Sequence, residues 1–136
     1  MNHENHEWHE KEERIIFKEE GYLIQGAIFE VYKEIGTGFL ESVYQECLET
    51  ELKLRNIPFQ KQVEIQIEYK GKLLDQFYKA DLICFNSIII ELKACKAIEP
   101  IHRAQIMNYL KATKLRLGLL VNFNAYPKVE MERIVL

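Results

Sequence analysis

No stretch of this 136-residue chain runs apolar for the roughly 18 residues that a membrane-spanning helix needs, so no transmembrane segment is expected. The opening residues, MNHENHEWHEKEE, contain no apolar core and do not read as a secretory signal. Proline and glycine are scarce, with three and six residues, which argues against a linker-rich or disordered chain. The cysteines, Cys47, Cys84 and Cys95, are odd in number and sit inside apolar patterns. They read as reduced, buried thiols of a cytoplasmic protein. Charge of one sign is also lacking in bulk. A formal net charge of -3 gives no global attraction for a phosphate backbone.

What is present is enough for one folded unit. With 48% hydrophobic and 29% charged residues, the chain reads as a single compact domain. Residues 1–20 form a polar tail or loose helix, carrying seven glutamates against Lys11, Arg14 and Lys18. Its His3, His6 and His9 recur every three positions, but no Cys or Asp supports a metal site, and they read as a solvated tail. The folded domain is then residues 21–136.

From Tyr22 the apolar period is helical through Ile24, Ile28, Val31 and Ile35, and Gly36-Thr37-Gly38 ends it. A second helix runs from about Phe39 to Arg55, with Leu40, Val43, Tyr44, Cys47, Leu48 and Leu52 on one side and Pro58 barring continuation. The period then changes to two. QVEIQIEY alternates, Gly71 marks a turn, and LLDQFYKADLICF and IIIELKAC follow as strands separated at Asn86-Ser87. Pro100 suits the first turn of a third helix, PIHRAQIMNYLKATK, with a stripe of Ile98, Ile101, Ala104, Tyr109 and Ala112. LGLLVNF and VEMERIVL supply two more strands. The order α, α, β, β, β, α, β, β predicts an α/β fold, in which a three-strand meander and a helix crossover build a mixed sheet flanked by helices.

The chemistry concentrates where the most apolar strand turns charged. Ile88-Ile89-Ile90 is followed by Glu91 and Lys93, which share a strand face roughly 6.5 to 7 Å apart. Charge taken into a core costs several kcal/mol unless it is paired or bound to a metal. Asp81, on the preceding strand, comes beside Glu91 across a hairpin. Two carboxylates and a backbone carbonyl make an all-oxygen site that suits Mg²⁺ or Mn²⁺. The same triplet also fits a structural carboxylate–lysine bridge at a strand end. Gln105 falls within the stripe of the third helix and needs partners if it faces the sheet, with Tyr109 four residues on. Glu41 opens the second helix, where a carboxylate favours the dipole, and borders the buried face. Nucleophilic catalysis by Cys95 with His102 lacks a third, orienting group.

At these residues the chain resembles a known family. GFLESVY, with Gly38, Glu41 and Tyr44, is similar to the signature of the small bacterial proteins named GxxExxY proteins. KADLICFNSIIIELKA, AQIMNYLKAT and GLLVNF are similar to that family too, so the resemblance runs from about Tyr22 to the C-terminus. The family is placed in the PD-(D/E)xK nuclease superfamily. The resemblance therefore implies a restriction-endonuclease-like core and carries Asp81, Glu91 and Lys93 onto the D…ExK motif. Gln105 and Tyr109 are similar to the QxxxY motif of RecB-like members, and Glu41 to the acidic residue of their first core helix. Ala80 stands where the motif has proline.

The resemblance implies a metal-dependent nuclease. Asp81 and Glu91, with Glu41, would hold Mg²⁺ or Mn²⁺; Lys93 would position the attacking water; Gln105 and Tyr109 would orient substrate or Lys93. Nucleic acid, DNA in preference to RNA, would lie on a basic face from Lys93 to Arg116, where six Lys or Arg stand against Glu91 and Glu99. A homodimer or a targeting partner is expected to supply what so small a domain lacks. The competing expectation is a non-catalytic nucleic-acid- or protein-binding module that keeps the fold. The hairpin decides whether a site exists at all. A two-residue turn at Asn86-Ser87 would pair Asp81 with Leu92 and leave Asp81 on the wrong face. An odd loop pairing Cys84 with Ile88 brings Asp81 to Glu91, with Asn86 at positive φ.

Overall fold

The computed structural model describes residues 16–136. His3, His6 and His9, and most of the segment read as a polar tail, lie outside the described residues. The described chain runs α1 (Lys18–Ile35), α2 (Glu41–Leu54), β1 (Phe59–Tyr69), β2 (Lys72–Cys84), β3 (Ile88–Lys93), α3 (Pro100–Thr113), β4 (Leu117–Asn122) and β5 (Glu130–Val135). No helix among the described residues is long and apolar enough to cross a membrane.

One five-stranded sheet has the order β1-β2-β3-β4-β5. β1, β2 and β3 form the antiparallel meander, α3 carries the chain across to β4 parallel to β3, and β5 returns antiparallel. Ile88 to Leu92 and all of β4 are buried, which is why these two strands read as continuous apolar runs. On one face, Ile24, Ala27, Ile28 and Val31 of α1 and Tyr44, Leu48 and Leu52 of α2 pack on Leu82, Ile88, Ile90, Leu92, Leu119 and Val121. On the other, Ile106, Tyr109 and Leu110 of α3 pack on Ile65, Ala80, Ile83, Ile89 and Leu120.

The stripe expected on α3 is rotated. Ile101 is 68% exposed, and Ala104 and Ala112 are exposed as well, while Ile106 and Leu110 are buried. Both sets satisfy a helical period, and burial favours the larger side chains. Gly118 on β4 admits them, since a Cβ there would stand 2.7 Å from Ile106 Cδ1. Arg103, on the flank of α3, is held by a bidentate pair with Glu132 at 2.7 and 2.9 Å. The cysteines also differ from expectation, for only Cys84 is buried. Cys47 and Cys95 are half-buried, and all three are free thiols.

The loop between α1 and α2 explains the spacing of Gly38, Glu41 and Tyr44. Gly36 and Gly38 take φ 66° and 99°, conformations that suit residues without a Cβ. The fully buried Tyr44 stacks on Phe123, ring centroids 4.6 Å apart. Its hydroxyl donates to the Gly36 carbonyl at 2.6 Å and accepts from the Phe39 N–H at 3.3 Å. The Gly38 N–H meets Asn124 Oδ1 at 3.1 Å. This loop fixes where α2 begins, and so where Glu41 stands. Tyr44→Phe, which keeps the stack and loses both hydrogen bonds, is expected to cost about 1–3 kcal/mol. The urea midpoint should fall with an unchanged slope.

The β2–β3 hairpin adopts the odd loop. Cys84 pairs with Ile88, Ile83 with Ile89 and Leu82 with Ile90, so Phe85, Asn86 and Ser87 form the turn. Asn86 takes φ 54° as expected, and Phe85, at φ 55°, joins it.

Candidate functional site

Continuing that register past Leu82 and Ile90 sets Asp81 opposite Glu91, and there the backbone ladder stops. Side chains replace it. The Asp81 N–H donates to Glu91 Oε2 at 2.7 Å, and the Leu92 N–H donates to Asp81 Oδ2 at 2.8 Å. Each carboxylate is therefore pinned by the strand of the other, and the strands splay at the C-terminal end of β3. In open α/β sheets ligands meet the molecule at such strand ends.

β1 breaks at the same level. Lys61 pairs with Leu82 and Val63 with Ala80, but Gln62 and Asp81 between them do not pair. Gln62 is left-handed, with φ 47°. Alternate residues of a strand ordinarily share a face. Here Ala80, Val63 and Ile65 pack under α3, whereas Leu82, Cys84 and Phe59 pack under α1 and α2. Both strands turn over at Gln62 and Asp81. Asp81 is released from the sheet and held instead by side chains: its carbonyl accepts from Gln45 Nε2 of α2 at 3.0 Å, and Gln62 hydrogen-bonds its carboxylate.

Lys93 and Gln105 also meet, Lys93 Nζ donating to Gln105 Oε1 at 3.3 Å. Tyr109, buried, packs against Tyr78 with ring centroids 4.8 Å apart. Glu41 stands exposed in the first turn of α2 and acts on both carboxylates as a like charge. The structure thus brings Asp81, Glu91, Lys93, Gln105 and Tyr109 to one place, with Glu41 on its border.

The electrostatics are unbalanced toward negative charge. Burial pushes the Glu91 carboxyl up to about 8, and Asp81 beside it adds to the rise; the Asp81 N–H and Lys93 hold it back only in part. Burial raises Asp81 too, against the Leu92 N–H and Lys93. Tyr109 is pushed up to about 12, by burial first and then by Glu91 and Asp81. Two crowded, oxygen-only donors short of compensating charge fit a hard divalent cation. Among the described residues no group of three or more His, Cys, Asp and Glu is gathered into a metal cage.

The sequence reading passed over Gln45, Gln62 and Asn122. The two glutamines look like ordinary solvent-facing residues of a helix and an alternating strand. Asn122 carried a signal, as the one polar residue in LGLLVNF. Fully buried, it accepts from the Cys95 N–H at 3.1 Å and donates to the Cys95 carbonyl at 2.9 Å, which fixes the loop leaving Lys93. Of the basic residues counted from Lys93 to Arg116, Arg103 is engaged by Glu132.

A family model described as the PD-(D/E)XK nuclease superfamily matches residues 18–134. Among solved structures, one titled "Crystal structure of SSO0001" is similar, with a TM-score of 0.55 and 28% identity over 69% of this chain. The match covers 48% of that protein, so this chain spans about half its length. No curated protein matches.

Proposed function

The chain belongs to the PD-(D/E)XK nuclease superfamily, and from that premise we propose that it is a metal-dependent nuclease hydrolysing phosphodiester bonds, of DNA in preference to RNA. The observation that supports this best is the facing pair Asp81 and Glu91, each pinned through the other's strand, with Lys93 on the same face. Burial raises Glu91 in spite of Lys93, which favours a site that takes up a cation. Asp81 and Glu91, with Glu41 at the border, would hold Mg²⁺ or Mn²⁺. When bound, such an ion would supply Lewis acidity toward the phosphate and toward water. Lys93, steadied by Gln105, brings its ammonium to the water or to the charge developing on the phosphate. Tyr109 closes the floor behind them.

Gly38, Glu41 and Tyr44, set at a loop and helix start beside the site, support the finer assignment to the GxxExxY proteins. The free thiols suit a reducing cytoplasm, and a second copy or a targeting partner would supply selection of substrate. The test is cleavage of single- and double-stranded DNA and RNA in Mg²⁺ or Mn²⁺ against chelator. Metal-dependent cleavage, declining steeply with salt because the contacts are to phosphates, is the expected result. Binding without cleavage of any of these substrates in either metal would sink the nuclease reading and leave a non-catalytic module.

A further inference from the structure

Beyond the core, β1 and β2 continue as a two-stranded ribbon. All six residues from Lys72 to Phe77 are exposed, so this ribbon stands clear of the body. Its register shifts between Gln66 and Glu68, where Gln66 pairs with Phe77 and Glu68 with Leu73. Ile67 thus faces Leu74, Asp75 and Gln76, and such a bulge bends a ribbon. Between it and the C-terminal half of α3 lies a groove of about 580 Å³. Ile67, Glu68, Leu73 and Tyr78 form one wall, and Asn108, Lys111 and Lys114 the other.

The groove adjoins the candidate site across one pair of packed rings. Tyr78 on its wall contacts Tyr109, and α3 presents Gln105 and Tyr109 to the site and Asn108 and Lys111 to the groove. Lys111 and Lys114 are exposed, and Lys114 leaves the helix end in a left-handed conformation, φ 63°. Lys111 and Lys114 outweigh the single carboxylate of Glu68, and with the Asn108 amide and the Tyr78 ring they match a strand of phosphates and bases. A base stacks on an aromatic face whatever its identity, while lysines hold the backbone. The volume is that of a small-ligand site, which suits a short piece of one strand better than the breadth of a double helix.

We propose that this groove seats a single nucleic-acid strand leading to or from the scissile phosphate, so that the substrate is single-stranded or carries a single-stranded end. The inference rests on the nuclease reading for the place where the strand is cut, but not for the binding itself. The experiment is fluorescence anisotropy of the full chain in chelator, where cleavage is off, with a labelled oligodeoxythymidylate of about twelve nucleotides and a blunt duplex of equal length. The single strand should bind more tightly. The double variant Lys111→Glu with Lys114→Glu should weaken that binding at least about tenfold and flatten its salt dependence by roughly 0.7 per lost phosphate contact. Tyr78→Leu should weaken it by about tenfold as well, and Tyr78→Phe should not. Both lysines are exposed, so the double variant keeps its fold, which a melting curve verifies. Double-variant binding within about twofold of wild type, or a duplex that binds as tightly as the single strand, overturns the proposal. Groove-dependent binding in a chain that cleaves nothing sustains the groove and removes the nuclease reading. Cleavage of single strands by the double variant at the wild-type KM does the reverse.

Discussion

Lys93→Ala is expected to lower metal-dependent cleavage by about two to three orders of magnitude, the usual loss when one preorganised charge-stabilising group is removed. Its melting temperature should move only a few degrees, for the side chain is half-buried and hydrogen-bonds Gln105 at a long 3.3 Å. A second effect separates a role in the site from a role in packing. Lys93 lowers both Asp81 and Glu91 by its charge. Without it both carboxyls rise further, and the pair is ready to take a cation only at higher pH. The acid limb of the rate profile should therefore shift upward in Lys93→Ala. Lys93→Arg retains the charge, though not the compact ammonium, and should restore the limb without restoring the full rate. Initial rates between about pH 6 and pH 9 show both effects. A loss below about tenfold with an unmoved limb would place Lys93 outside the reaction.

In chelator, the protein should melt higher at about pH 5 than at about pH 8.5, and Glu91→Gln should remove most of that difference. Glu91 rises from an ordinary 4.5 to about 8, chiefly through burial and then through Asp81. A carboxyl raised in this way binds its proton more tightly in the folded state. Its stabilising contribution is complete below 4.5 and is lost as the pH climbs through about 8. At about 1.4 kcal/mol per unit, the change is a few kcal/mol. For a chain of this size that is on the order of 10–15 °C. Gln at position 91 still accepts from the Asp81 N–H, and Asn at position 81 still accepts from the Leu92 N–H. Both variants should thus melt no lower than wild type in chelator at the alkaline end. Mg²⁺ or Mn²⁺ at a hundredfold excess over its dissociation constant should add roughly 2.7 kcal/mol to wild type and little to either variant. Glu91→Gln with the same pH slope as wild type, or both variants losing stability in chelator, would instead make these carboxylates structural partners of Lys93.

The order of elements was legible because the apolar period changes from helical to alternating after Pro58 and back again at Pro100. The facing of Asp81 and Glu91 was legible as a condition on loop parity, and Cys84 pairs with Ile88 as that condition required. Phe85 at positive φ was not, since a bulky residue takes that conformation only when surrounding structure compels it. The stripe of α3 was misread because two helical faces had the same spacing, and the choice between them lies with Gly118, on a strand later in the chain. Gln45 and Gln62 escaped notice for a related reason. Their polarity fits solvent, and what makes them matter is a hydrogen bond to Asp81, 36 residues from Gln45.

The break at Gln62 reaches further than the site. β1 is the outermost strand on its side of the sheet, and an uninterrupted outer strand is a template on which another chain can add and begin an aggregate. With Gln62 left-handed and Lys61 on one side of it and Glu64 on the other, the outward row of N–H and C=O groups is neither straight nor neutral. A copy laid against it would lose register at the level where Asp81 leaves the ladder. The kink at which Asp81 leaves the ladder thus also makes β1 a poor template for a further strand.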